Sequence, residues 1–166
     1  MPSKSMETLE AMVGRTERVI ENFEVEAGKV EEFARAVGDD NPAHRNASAA
    51  RDQGFEAIPA PLTFTRVGYF PRYRPDGVDD LRPFDLGFAP DRRLHGEQAY
   101  EFERPVRVGD VLSATITLTD VYQREGTDGT LTFAEFELEY VDAEGEPVLV
   151  ERNSVIEAPS PAEAAE

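Results

Sequence analysis

Cysteine is absent from this 166-residue chain, and histidine occurs only twice, at His44 and His95. The first absence excludes disulfides, thiolate nucleophiles and cysteine-type zinc sites. The second, with carboxylates scattered along the chain, leaves no spacing of the kind metal ligands use, so neither a metal nor a cofactor is expected. Long apolar runs are lacking too: no segment approaches the length of a membrane span. The start, Met1-Pro2-Ser3-Lys4, leads into charged residues and not into the apolar stretch of a signal peptide. The expectation is a soluble, cytoplasmic protein with no membrane partner.

Positive charge is scarce as well. Seventeen basic residues face 34 acidic ones, for a formal net charge of −17. That balance argues against nucleic acid as a partner, because phosphate-backbone binding needs a positive surface. What the chain does have is enough apolar and aromatic content, 40% and 9%, to build one packed core. A single domain is expected over residues 1–158, with a frayed tail over 159–166 that has no apolar period.

Periodicity divides that domain in two. Residues 5–13 read as a short helix stopped by Gly14, and residues 19–25 as a short strand. Val30, Phe33, Ala34 and Val37 have the i, i+3, i+4, i+7 spacing of an amphipathic helix over 28–37, ended by Gly38. A further short helix is expected over 47–53, with Asn46 as its N-cap. In Ile58-Pro59-Ala60-Pro61-Leu62-Thr63-Phe64, Pro61 suits a first helical turn, and residues 62–70 are apolar on most sides, as in a buried helix. Residues 71–90 read as a long loop rich in Pro, Gly and Asp. Thereafter residues 94–103, 111–122, 130–141 and 147–157 are strand-length runs separated by turn sequences. In the third of these, Phe133, Glu135, Glu137 and Glu139 alternate with Ala134, Phe136, Leu138 and Tyr140, giving one dry and one wet face. Helices followed by an antiparallel meander predict an α+β fold with a buried helix against a curved sheet. Its edge strand must be covered or paired, which points to a dimer.

Chemistry is concentrated in Gly38-Asp39-Asp40-Asn41-Pro42-Ala43-His44, where a carboxylate and an imidazole stand five residues apart around a turn. A carboxylate and a neutral imidazole converging on one water can move protons in both directions near neutral pH. The competing reading is a helix stop followed by an Asx-type turn, with Gly38 as cap and His44 on the surface. Asp39 is surplus to that turn once Asp40 and Asn41 are present, and the turn does not need His44.

The segment from Phe33 to His44 resembles the signature of MaoC-like, (R)-specific enoyl-thioester hydratases and dehydratases, an aromatic followed by Gly-Asp-x-Asn-Pro-x-His. The Ile58–Phe64 run, Leu94-His95-Gly96-Glu97-Gln98 and Phe102-Glu103-Arg104-Pro105-Val106-Arg107-Val108-Gly109-Asp110 are similar to the branch of N-terminal MaoC-like dehydratase domains, which includes mycobacterial hydroxyacyl-carrier-protein dehydratase subunits. The resemblance spans about residues 12–157. It implies a hot-dog fold, an antiparallel sheet wrapped around a central helix at 62–70. It also implies reversible syn hydration of a trans-2-enoyl thioester, carried by coenzyme A or acyl carrier protein, to the (R)-3-hydroxyacyl product, within a homodimer or a heterodimer with another hot-dog subunit.

By motif position Asp39 and His44 hold and activate the water, either of them taking its proton, while Asn41 braces the loop and Pro42 directs it. The chain departs from typical hydratases at the start of the central helix: a His-Gly pair there is replaced by Ala60-Pro61, and proline has no N–H to offer a developing enolate. The amides of Leu62 and Thr63 at a helix N-terminus are substitutes, and Gly96 is another candidate. His95 lines the acyl pocket or orders a water in one reading; in the other it is a strand residue bonded to neighbouring backbone. The arginines at 66, 72, 74, 82, 92 and 93 suit coenzyme A phosphates or an acidic carrier, though solvated loop arginines are the commoner case. Two rival functions remain: a non-catalytic acyl-binding subunit, against which the intact Asp39 and His44 argue, and a hot-dog thioesterase.

Overall fold

The computed structural model describes residues 2–76 and 83–160. Three short helices come early: α1 (Met6–Glu10), α2 (Ala27–Ala36) and α3 (Ala47–Asp52). Strand β1 (Thr16–Glu24) lies between the first two, and β2 (Arg93–Phe102), β3 (Val111–Gly126), β4 (Gly129–Val141) and β5 (Pro147–Glu157) follow. All pairings are antiparallel and the sheet order is β1-β3-β4-β5-β2. Of the four strands expected in the meander, β3, β4 and β5 form it, whereas β2 crosses over to pair with β5 and β1 takes the place beside β3. Both are edge strands.

Alternation decides which face is dry. Leu112, Ala114, Ile116 and Leu118 on β3 and Ala134, Phe136, Leu138 and Tyr140 on β4 are at most 1% exposed, while Glu137 and Glu139 face away. Val30 of α2 and Phe23 of β1 belong to the same buried core as this face, and Ala34 of α2 is buried as well. Three residues of the expected long loop also join the core: Tyr73 packs edge-on to Phe23 at 4.8 Å, Phe84 stacks on Phe136 at 6.2 Å, and Leu86 is buried. Residues 77–82 of that loop, Arg82 among them, and 161–166 of the tail lie outside the described residues. No described helix is long and apolar enough to cross a membrane.

The central helix expected over 62–70 is replaced by a six-residue 3-10 run, Phe64–Tyr69, followed by a second 3-10 turn, Pro71–Tyr73. The physical reasons are local. Pro61 and Pro71 bracket the segment, and Gly68 weakens its interior, so an α-helical ladder has little to gain there. Tertiary contacts hold it instead: Phe64 is fully buried, stacked on Phe23 at 5.8 Å and edge-on to Phe33 at 5.5 Å. A Cβ on Gly68 would come within 3.2–3.3 Å of Phe23 and Ile20, so the segment lies close against β1. The burial is one-sided, because Leu62 and Phe70 at its ends are 71% and 62% exposed.

Phe64 is thus the contact that seats the segment. Phe64→Ala is expected to destabilise the fold by about 3–5 kcal/mol, the range for a fully buried aromatic. Urea denaturation should show this as a lower midpoint with an unchanged slope.

Candidate active site

The turn after α2 is built by backbone geometry first. Gly38 adopts φ 75°, the left-handed conformation that glycine tolerates. Its N–H reaches Arg35 O at 3.2 Å and the Asp39 N–H reaches Ala34 O at 2.8 Å, the two bonds of a Schellman stop. Asp39 then accepts the Asn41 N–H on Oδ1 at 3.0 Å, and Asn41 Oδ1 accepts the Ala43 N–H at 3.0 Å. Pro42 opens a 3-10 turn, Pro42–His44, after which Asn46 caps α3 through Ser48 and Ala49. Asp39 is therefore not surplus to the turn. One of its oxygens makes an Asx bond beside the one Asn41 makes, and the other is left for His44.

His44 is buried, at 8% exposure, and both ring nitrogens are engaged. Nδ1 lies 2.8 Å from the Pro59 carbonyl oxygen and Nε2 lies 3.0 Å from Asp39 Oδ2. A carbonyl oxygen can only accept, so Nδ1 carries a hydrogen. The neutral ring would then present its Nε2 lone pair to a carboxylate, which is repulsive. The Asn41 N–H, and after it His44, hold the Asp39 carboxyl below the usual carboxylate range. Asp39 is accordingly the anion, and it accepts from Nε2 when that nitrogen carries a hydrogen. The pair holds one mobile proton between two strong proton-transfer groups.

Around it is a cavity of about 390 Å³, with Asp39, Asn41 and His44 on one side and Phe55, Leu62 and Phe102 among the opposing apolar walls. A second hollow of about 330 Å³ shares Phe55, Pro59, Arg104 and Pro105 with it. Of the candidates read from the sequence, Asp39, His44, Asn41 and Leu62 meet at the first cavity. Pro42 sits behind the pair as the first residue of its turn, and Thr63 does not reach the cavity wall. Among the described residues neither the Leu62 nor the Thr63 amide donates a hydrogen bond, and Leu62 is the nearer of the two to the pair.

His95 and Gly96 lie elsewhere. They sit near the start of β2, whereas Phe102 at its end lines the cavity, a separation of about 23 Å at strand rise. His95 borders a separate depression with Arg66 and Arg93. Gly96 has a structural reason for its identity: a Cβ there would fall 2.3 Å from Ser154 Oγ, at an irregularity in the β2–β5 register where the Glu97 N–H donates to that hydroxyl. Within one protomer, then, neither joins the acid–base pair.

Three parts of the site lie outside the residues the sequence singles out for it. Pro59 anchors the imidazole through a backbone carbonyl, which no side-chain motif reports. Gln53, at the end of α3, exchanges two hydrogen bonds with the Asn41 amide, at 3.1 and 2.9 Å, and so ties α3 to the turn. Arg104 walls both hollows but is spent on Asp110 at 2.7 Å and Asp142 at 3.1 Å, so it braces the wall and is not a free cation. The spacing Arg104–Arg107–Asp110 carried that signal, since Asp110 also accepts the Arg107 N–H. No group of three or more metal-binding side chains exists among the described residues.

The molecule has known relatives. A family model described as FAS1-like, dehydratase domain region, matches residues 11–151. A UPF0336 protein of Streptomyces griseus subsp. griseus is 40% identical over 119 residues, 72% of this chain and 77% of that protein. Among solved structures, a chain of the C-terminally truncated HadBC (3R-hydroxyacyl-ACP dehydratase) complex of Mycobacterium tuberculosis is similar with TM-score 0.71 and 29% identity, covering 87% of this chain and 96% of that one. A chain of the ChsH1–ChsH2 complex of the same organism shares the fold alone, at TM-score 0.75 and 18% identity over 94% of this chain and 95% of that one. The five-stranded antiparallel sheet around a buried segment is thus a hot-dog fold. By the family match over most of its length, the chain belongs to the MaoC-like dehydratases, in the FAS1-like dehydratase domain branch.

Proposed function

We propose that this chain is a hydro-lyase that interconverts trans-2-enoyl and (R)-3-hydroxyacyl thioesters, with Asp39 and His44 as its acid–base pair. The observation that carries this reading is the intact pair itself, an ionised carboxylate 3.0 Å from an imidazole whose far nitrogen is held by Pro59, at the wall of a largely apolar cavity. In hydration a water entering between Oδ2 and Nε2 gives a proton to Asp39 as its oxygen bonds to the β-carbon. The Nε2–H then supplies the proton taken up at the α-carbon, and dehydration runs the same transfers backwards. This division of roles takes the anionic carboxylate as the base, and it has both groups act from one side of the double bond, as syn addition requires. The Leu62 N–H, at the cavity wall and without a protein acceptor among the described residues, is the donor this reading assigns to the thioester oxygen, where negative charge develops.

A second reading is favoured by a specific observation: both solved relatives named above are two-subunit complexes. The exposed edge strand β2 offers free backbone groups for a second hot-dog subunit. In such an assembly this chain could serve as an acyl-binding subunit for a catalytic partner. The intact Asp39–His44 contact argues that it brings its own chemistry.

Two outcomes test these readings. Purified protein alone should hydrate crotonyl-CoA, and Asp39→Asn or His44→Ala in a normally folded chain should lower kcat/KM by about 10²–10⁴-fold, the worth of positioned acid–base catalysis. Activity that appears only on adding a second MaoC-like subunit, and survives both substitutions, would establish the binding-subunit reading; release of free thiol would indicate a thioesterase.

The second outcome concerns pH. Because the folded state depresses the Asp39 pKa, its contribution to stability is present above the unfolded carboxylate value, about 3.9, and is lost as pH falls through the lower folded value. Stability profiles by chemical denaturation should therefore fall less steeply in that acid window for Asp39→Asn than for the unaltered chain. Identical acid slopes would show that the carboxylate gains nothing from its partners.

A further inference from the structure

Glu151 lies at the centre of β5 with no exposed surface, flanked on the sheet by Leu138 of β4 and Tyr100 of β2. A carboxylate there is costly unless its oxygens are bonded, and an apolar side chain of similar size would fill the position without that cost. Its partners suggest what it is for. Tyr69 Oη donates to Oε1, and Arg66 Nη1 stands 3.6 Å from the same oxygen. Tyr140 Oη donates to Oε2 at 3.3 Å. Burial, and then the charge of Glu151, push the ionisation of both phenols well up, so they remain donors.

The two oxygens face different parts of the molecule. Oε2 is bonded within the sheet. Oε1 takes both of its partners from the 3-10 segment, where Arg66 and Tyr69, three residues apart, fall on one side because that helix repeats every three residues. The guanidinium lies 4.0 Å over the Tyr69 ring, so the two side chains reach the carboxylate as a unit. At its other end the segment is tied by the Ala60 N–H to Val106 O at 2.7 Å, and by Pro59 to His44. Phe64 sets how deep the run sits. A six-residue 3-10 run with no side-chain cap has little internal resistance to turning about its own axis, and turning would re-aim the Leu62 and Thr63 amides.

We infer that Glu151 is a positioning residue: it fixes the rotation of the 3-10 segment through Tyr69 and Arg66, and so aims the Leu62 amide at the space beside Asp39 and His44. The inference rests on the hydro-lyase reading for its catalytic consequence, and on the structure alone for the anchoring. Glu151 touches neither the cavity nor the reacting atoms; its effect passes entirely through the segment.

The division between Oε1 and Oε2 supplies the test. Glu151→Gln, which keeps shape but loses charge, and Tyr69→Phe, which removes one donor, should each lower kcat for crotonyl-CoA hydration about tenfold with KM within about twofold, the mark of a misaimed group. Amide hydrogen exchange should rise in residues 60–70 and not in the sheet. Tyr140→Phe, which cuts only the sheet-side bond, should leave both readouts unchanged. Unaltered exchange over residues 60–70 in Glu151→Gln overturns the anchoring, as does an equal loss in Tyr140→Phe, which would make Glu151 a general core support. Full kcat in Glu151→Gln and Tyr69→Phe overturns the positioning role. If the unaltered chain hydrates no enoyl thioester, the hydro-lyase reading fails and the aiming role with it, while the exchange result alone decides the anchoring.

Discussion

The hydrogen bond from His44 Nδ1 to the Pro59 carbonyl, 2.8 Å long, joins the two halves of this molecule's chemistry. On one side stands the turn after α2, which carries Asp39. On the other begins the stretch through Ala60, Pro61 and Leu62 into the 3-10 run. The bond does three things at once. It fixes the ring's orientation, assigns its Nδ1 hydrogen, and sets the register between the acid–base pair and the amides that follow Pro59. Because the carbonyl can only accept, the remaining nitrogen must settle its hydrogen with Asp39, and the one mobile proton of the site follows from that single constraint.

Much of this was legible from residues. Val30, Phe33, Ala34 and Val37 gave α2, and Gly38 gave its end, since a left-handed residue at that position needs glycine. The β3–β4–β5 meander was readable because a two-residue alternation and strong turn sequences agree. The proximity of Asp39 and His44 was visible as a spacing around a proline. The segment after Pro61 was misread because apolar composition does not distinguish an α-helix from a 3-10 run, and the flanking prolines with Gly68 decide instead. His95 and Gly96 do not meet Leu62 within one protomer, for a different reason: a motif does not say which end of its strand faces the site. Phe84 and Leu86 were hidden inside a Pro/Gly-rich loop, where packing overrides local composition.

The acidic surface and the buried acid obey different rules. At −17 the chain repels anions on average, yet such charge is screened over about 8 Å at physiological salt. The short-range contacts therefore govern the site. Arg104 is neutralised by two aspartates, and Arg107 by Glu56 and Asp110, so the guanidiniums nearest the hollows are already committed to structure. The Arg107–Glu56 pair is solvent-exposed and correspondingly weak, worth about 0–1 kcal/mol, whereas the Arg104 pairs are half-buried and brace the wall on which the cavity depends.

Replacing a central helix with a six-residue 3-10 run changes what must hold the site. An α-helix supplies its own axis through a full ladder of internal bonds and presents its N-terminal amides as a consequence. A 3-10 run of this length does not, and Pro61 removes one of those amides altogether. The chain compensates by clamping the run from outside. Pro59 and Ala60 tie its approach to His44 and to the Val106 carbonyl, Phe64 seats it in the aromatic core, and Tyr69 with Arg66 closes the far end on Glu151. A buried carboxylate that is hard to justify as a source of stability becomes intelligible as the last of these clamps. The same logic explains why Leu62 stands exposed: the residue between two fixed ends is the one free to face a ligand.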